Sequence, residues 1–307
     1  MTERASRAVE AALAWLKTRD APESAIAAHE VGRDPSPEDA RRWVRWIVDR
    51  ERNGAWDTEL PATLRSLQVL RELREAASLK EQDPAIGRAL DWVRDRQGMA
   101  GAWTDGCSPA RHRQGFCHHF TAGFFSPAAP DAILGGLDLP SGVRTAGEAE
   151  TRFALSAGAL RCVLLWRGPG TDDRLHLEAL CRVLAVWPEA RPEGLTTNGL
   201  LAAVHALLAS PDAADRDAAV RGLRTVAGTQ RGDGSWVDAD PFHALEVFGT
   251  AAAAGVGGEQ VQTTLDYGAR LLVAAQHGDG SWGPEHGPRR ALIALRTLRR
   301  SGPSTAG

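Results

Sequence analysis

The chain has 307 residues and a formal net charge of −3, from 36 basic and 39 acidic side chains. That balance excludes a strongly basic nucleic-acid groove or a partner recognised by bulk charge, and no run approaches the roughly 18 consecutive apolar residues of a membrane span. Four cysteines (Cys107, Cys117, Cys162, Cys181) do not make a disulfide framework at this length. The polar opening Met1-Thr2-Glu3-Arg4-Ala5 runs directly into a helical pattern, so the expectation is no signal peptide and a cytoplasmic location.

Helical periodicity dominates and strand alternation is nearly absent. A first helix is predicted over 5–18. Ser36 reads as the cap of a second, with Pro37 in its first turn, running to about Arg52. Pro61 starts a third, from Ala62 to Ala77, and Pro84 a fourth, from Ala85 to Gln97. After an irregular stretch over 98–146, with one helix placed somewhere within 115–137, a long apolar helix covers about 148–167. Others follow near 172–187, 196–209, 213–230, 241–254, 259–276 and 288–300. Asp172 and Asp173 read as helix-start caps.

Two phrases repeat along this series. Gln230-Arg231-Gly232-Asp233-Gly234-Ser235-Trp236 returns as Gln276-His277-Gly278-Asp279-Gly280-Ser281-Trp282, with the tryptophans 46 residues apart. Looser copies end in Gly54-Ala55-Trp56 and Gly101-Ala102-Trp103, 47 residues apart. A period near 46 is that of a helical-pair repeat, and twelve helices at that period make six pairs. Polar helices such as 213–230 alternate with apolar ones such as 196–209, which suits an outer ring of helices around an inner one. Closing the ring removes the frayed ends that an open array must cap. The predicted fold is all-α, a six-hairpin α/α toroid in one domain spanning 1–307, with 104–146 an irregular insertion that serves as lid or site loop. Within each repeat the glutamine ends the outer helix, the glycines allow the reversal, and the tryptophan supplies buried contact between neighbours. The phrase is glue first.

The run Arg88-Ala89-Leu90-Asp91-Trp92-Val93-Arg94-Asp95-Arg96-Gln97, followed by Gly101-Ala102-Trp103, resembles the QW motif. So do Arg221-Gly222 through Trp236 and Gly268 through Trp282. That motif marks squalene–hopene cyclases, oxidosqualene cyclases, class II diterpene cyclases and, more loosely, protein prenyltransferase β subunits. The resemblance covers about 40–105 and 212–300 well, and 106–211 poorly. It implies the toroid, an isoprenoid substrate and, for the class II cyclases, proton-initiated cyclisation by the middle aspartate of an Asp-x-Asp-Asp motif at an inner-helix mouth.

In Val237-Asp238-Ala239-Asp240-Pro241-Phe242-His243, Asp240 falls where that acid would be and Asp238 where its partner would be, while Pro241 departs from the pattern. His243, one turn on, is positioned to hydrogen-bond Asp240. The plainer alternative is that Asp238 or Asp240 caps the helix starting at Pro241. Cys107, Cys117, His118 and His119 form the other candidate group, with ligand types suited to zinc but not a standard spacing. Zinc-bearing prenyltransferase β subunits and lanthipeptide cyclases are the resemblances there, and a buried cysteine with hydrogen-bonded histidines is the alternative. Phe120, Phe124, Phe125 and Phe242 are candidate cavity walls for a hydrocarbon or carbocation, since ring faces stabilise cations. Arg111 and Arg113, and further on Arg289 and Arg290, are candidates for a diphosphate. Glu59 and Glu285–His286 share the helix-mouth position.

Three functions therefore stand open: acid-initiated cyclisation of an isoprenoid, a zinc-dependent prenyltransferase-like or cyclase reaction, and a non-catalytic lipid- or protein-binding toroid subunit. Acid initiation requires no cofactor; zinc belongs to the second reading, and magnesium to a diphosphate substrate. Class II cyclases site their chemistry between two helical domains, so a chain with one would need a homodimer, a second subunit or its own lid to close the cavity. No nucleic acid is expected as partner.

Overall fold

The computed structural model describes residues 3–32, 37–57, 59–76, 83–95, 138, 142–145, 147–187, 189–192, 194–284 and 286–301. Twelve α-helices lie among them. In chain order they are α1 (Glu3–Lys17), α2 (Pro22–Glu30), α3 (Pro37–Val48), α4 (Leu60–Ala76), α5 (Pro84–Arg94), α6 (Glu148–Arg167), α7 (Thr171–Val186), α8 (Thr197–Leu207), α9 (Ala213–Ala227), α10 (Pro241–Ala253), α11 (Gly258–Ala275) and α12 (Gly287–Arg300). Among the described residues β structure is limited to isolated bridges, such as Arg52 with Ala55 and Gln230 with Trp236. The all-α expectation holds, and no described helix is long and apolar enough to cross a membrane.

Sequence signals account for most helix ends. Pro22, Pro84 and Pro241 each open a helix where a missing N–H costs nothing. Asp83 caps α5 by accepting from the Ala85 amide at 2.8 Å. The Asp173 side chain does similar work three residues into α7, accepting from Gly170 N at 2.7 Å. One helix was not anticipated: α2, short and alanine-rich, between the expected first and second helices. The expected helix within 115–137 and the Ser36 cap lie outside the described residues, as does nearly all of the 104–146 segment.

The chain resolves into two compact units, each discontinuous in sequence. The first comprises 1–50, 68–82 and 227–307; the second comprises 51–67 and 83–226. Within the first, α12 packs against α1, α2, α10 and α11. Its residues from Ala291 to Leu295 are all buried, as are those of α10 from His243 to Gly249. By contrast α11 buries one stripe, Val261, Thr264, Leu265, Gly268, Ala269 and Leu272, the spacing of a helix with one face in water. The second unit repeats the pairing. There α9 buries a stripe while α8 is buried on every side from Gly199 to Leu207. Each fully buried leucine contributes about 1.5–3 kcal/mol by leaving water, so the all-round apolar helices are where each unit is anchored.

The repeated phrase builds the same joint each time. Gln230 Nε2 donates to Gly234 O within its own turn (3.2 Å) and to Thr264 O on α11 (3.1 Å). Gln276 Nε2 donates to Gly280 O (3.1 Å) and to Ala8 O on α1 (3.0 Å). Gly234 and Gly280 adopt φ of +89° and +90°, and a Cβ on either would sit 2.3 Å from Tyr267 O or 2.4 Å from Ala11 O. Each turn therefore lies against the backbone of the next single-faced helix, three residues beyond the carbonyl its glutamine holds. Asp233 and Asp279 brace the turns by accepting from the amide and hydroxyl of Ser235 and Ser281. Those serine bonds hold both carboxyls below the usual range. Trp236 packs on Phe248 with ring centroids 6.3 Å apart, and Trp282 donates its indole N–H to Leu272 O at 2.9 Å. In the second unit the looser Trp56 copy is held by a glutamate, one position nearer its tryptophan than the glutamines are to theirs: Glu51 accepts from Gly54 N and pairs with Arg88 on α5.

A buried polar knot also ties α7 to α9. Asp215, fully buried, accepts from Arg174 NH1 (2.8 Å) and NH2 (3.1 Å) and from the Ser210 hydroxyl (2.6 Å), with the Cys181 thiol at 3.6 Å. Burial, and then the Asp215 carboxylate, push that thiol up to about 11.

Candidate functional site

The Trp236 turn delivers the chain to the start of α10. Asp238 is exposed there and sits in the left-handed region at φ 59°, a conformation that aspartate tolerates better than most residues. Two residues on, Asp240 takes the N-cap position. Its Oδ1 accepts from Phe242 N at 2.8 Å and His243 N at 3.1 Å, so the bond expected from His243 is made by its backbone amide. The imidazole is buried. Asp240 Oδ2 faces Arg290 on the first turn of α12, with NH2 at 3.3 Å. The same guanidinium lies over the Phe242 ring, 4.9 Å from its centroid. Both partners of this pair remain partly open to solvent.

The neighbouring arginine behaves differently. Arg289 is buried, donating from NH1 to both oxygens of Glu72 on α4 (2.9 and 3.0 Å) and from NH2 to Glu246 on α10. Gln68 Nε2 donates to Glu246 Oε1 at 2.9 Å. Arg296, two turns further along α12, ties Glu72 to Glu30 at the end of α2, at 2.9 and 2.8 Å. Burial works against the charge on Arg289, but Glu246 and Glu72 outweigh it and hold its proton more tightly than water would. Burial likewise opposes the Glu72 carboxylate, and Arg289 with Arg296 more than offset it, leaving the carboxyl below its usual range. Buried ion pairs survive only with such multiple bonding, and removing one partner strands the other.

Of the candidates read from sequence, the structure thus brings Asp240, Phe242 and the backbone of His243 together with Arg290, and leaves Asp238 on the exposed approach. Arg289, a candidate for a diphosphate, instead has its two NH groups on carboxylates. Phe120, Phe124, Phe125, Arg111, Arg113, Cys107, Cys117, His118 and His119 lie outside the described residues. Among the described residues no group of three or more His, Cys, Asp or Glu is arranged to hold a metal ion. Glu59 is exposed just ahead of α4, and His286 holds the left-handed residue before α12. The Glu72–Glu246–Arg289 cluster was missed. Its one sequence signal was a lone carboxylate, Glu246, inside the apolar run Ala244–Phe248.

No protein-family model matches the chain, and no curated protein sequence does. Solved structures do. The chain is similar to a protein from Actinoplanes (TM-score 0.56, 16% identity, covering 97% of this chain and 99% of that one). It is also similar to the type II terpene cyclase MstE from Scytonema in its apo form (TM-score 0.56, 12% identity, covering 97% and 98%). At those identities the likeness is one of fold: the chain has a terpene cyclase-like, all-α fold.

Proposed function

We propose that this protein is a terpene cyclase-like enzyme that acts on an isoprenoid by acid-initiated cyclisation, with Asp240 as proton donor and Asp238 and His243 assisting. The observation that carries the reading is the environment of the Asp240 carboxyl group. A proton on Oδ2 passes to an alkene carbon, the C=C π pair forms the new C–H bond, and a tertiary carbocation results. The aspartate is left as a carboxylate. Donors for that charge are already in place, two backbone amides on Oδ1 and Arg290 beside Oδ2, and donors set where charge develops are the strongest single lever on a barrier.

The proposal extends to the α/α toroid as one domain, to a lid formed by 104–146, and to a homodimer or second subunit where the lid alone leaves the cavity open. Asp240→Asn is the test. Asparagine caps a helix about as well as aspartate, so the fold is kept while the proton donor is lost. With farnesyl to geranylgeranyl substrates and product detection by gas chromatography, turnover should fall by roughly 10²–10⁴-fold. Turnover equal to wild type would end the general-acid role. Metal analysis of the same preparation examines the cysteine–histidine alternative.

A further inference from the structure

We propose that Arg289 is a positioning residue for the Asp240 site: Glu72 and Glu246 grip it from two helices, and that grip sets the first turn of α12 so that Arg290 meets Asp240. This rests on the reading of Asp240 given above. The argument starts from helix geometry. Consecutive residues project about 100° apart, so Arg289 and Arg290 leave the helix in different directions, reach different partners here, and are turned together. Arg289 is buried in the first unit, while Arg290 stays partly open to solvent beside Asp240.

The same two helices are joined twice. One rung, Asp240 to Arg290, is partly open, at 3.3 Å, and uses one nitrogen. The other, Glu246 to Arg289, is buried and extended by two further bonds to Glu72. Partly exposed pairs contribute little and hold geometry weakly, whereas a buried, multiply bonded guanidinium fixes it. Precision at the outer rung must therefore come from the inner one. Glu72 is itself held by Arg296, and Gln68 steadies Glu246, so neither carboxylate is free to follow a drifting arginine. Lysine cannot reproduce the grip, having no planar fork to span two carboxylates.

The test combines a readout that needs no activity with one that does. Glu246→Gln and Arg289→Lys are each treated with phenylglyoxal, and the labelling rate of Arg290 is read by mass spectrometry of its peptide. Arg174 of the second unit serves as internal reference. Gln276→Ala, which loses two bonds of a structural turn, is the control for simple destabilisation. The expected result is Arg290 labelling at least about threefold faster in both clamp variants and unchanged in the control, with kcat for the isoprenoid reduced about tenfold or more and KM within about twofold, the pattern of an interaction made in the transition state. Unchanged Arg290 labelling overturns the proposal, as does faster labelling with unchanged kcat. Where Glu246→Gln does not fold, Glu72→Gln loosens the same arginine from the other side and takes its place. If the wild type turns over no isoprenoid, the proposed function fails on its own account, and labelling alone decides whether Arg289 sets Arg290.

Discussion

The two glycines of the repeated phrase should respond very differently to alanine, although they stand two residues apart. Gly280 holds φ +90°, and an added Cβ would fall 2.4 Å from Ala11 O and 2.7 Å from Ala11 C, both backbone atoms of α1. The left-handed conformation costs about 1–2 kcal/mol for a residue with a Cβ. The clash cannot be relieved by a side-chain rotation, so α1 must retreat, at an overpacking cost of about 1–3 kcal/mol. Gly280→Ala should therefore lose about 2–5 kcal/mol from a total stability on the order of 5–15 kcal/mol. Gly278 has no atom within 4 Å of its would-be Cβ, and its alanine variant should stay within about 0.5 kcal/mol of wild type. Urea unfolding followed by tryptophan fluorescence reads the difference, since Trp236 and Trp282 are both buried. With a slope of about 2–3 kcal/mol per molar, the Gly280→Ala midpoint should drop by roughly 1–2 M. Equal midpoints for the two variants would refute the account of the joint. The pair Gly232→Ala and Gly234→Ala repeats the experiment one period earlier, against Tyr267 O at 2.3 Å.

Two further outcomes are expected. Glu72 has its folded pKa depressed by Arg289 and Arg296, so its contribution is full above the unfolded value of about 4.5 and is lost as pH falls through the lower folded one; urea midpoints between neutral and strongly acid pH should show Glu72→Gln less stable than wild type at neutrality and converging with it in acid. The Cys181 thiol, pushed up to about 11 from an ordinary value of 9.0, should react with iodoacetamide at pH 8 roughly 10²-fold more slowly than an unperturbed thiol through its thiolate fraction alone, as read on its own peptide by mass spectrometry, and an ordinary rate would show that the Asp215 knot is not closed in solution.

Helix starts were legible where a proline opened a strongly patterned segment, as at Pro84 and at Pro241 behind Asp240. The joint built by Gln230 and Gln276 was legible as glue because a phrase that recurs with its spacing intact has to serve a recurring contact. Helix α2 carried a start signal in Pro22 and Glu23, but its nine residues, Pro-Glu-Ser-Ala-Ile-Ala-Ala-His-Glu, give no apolar stripe to reinforce it. Its presence is settled by packing against α12 and by the Glu30–Arg296 pair. The ionic clamp was hidden for a different reason. Glu72, Glu246 and Arg289 lie far apart in sequence, and a charge on a helix is solvated by default. Only tertiary structure distinguishes a buried arginine from the surface one beside it. At the Asp240 site the capping geometry was foreseeable, while the arrival of Arg290 from another helix was not.

The bond from Gln276 to the carbonyl of Ala8 spans 268 positions, and its consequence falls on synthesis. Helices α1 and α2 leave the ribosome well before two of their packing partners, α11 and α12. At about 5–20 residues per second the opening helices wait on the order of 15–60 s with their apolar faces uncovered, unless something shelters them. The first unit therefore cannot complete itself on the nascent chain before α12 has emerged, so termination anywhere between α2 and α12 leaves the two early helices without the partners that bury them.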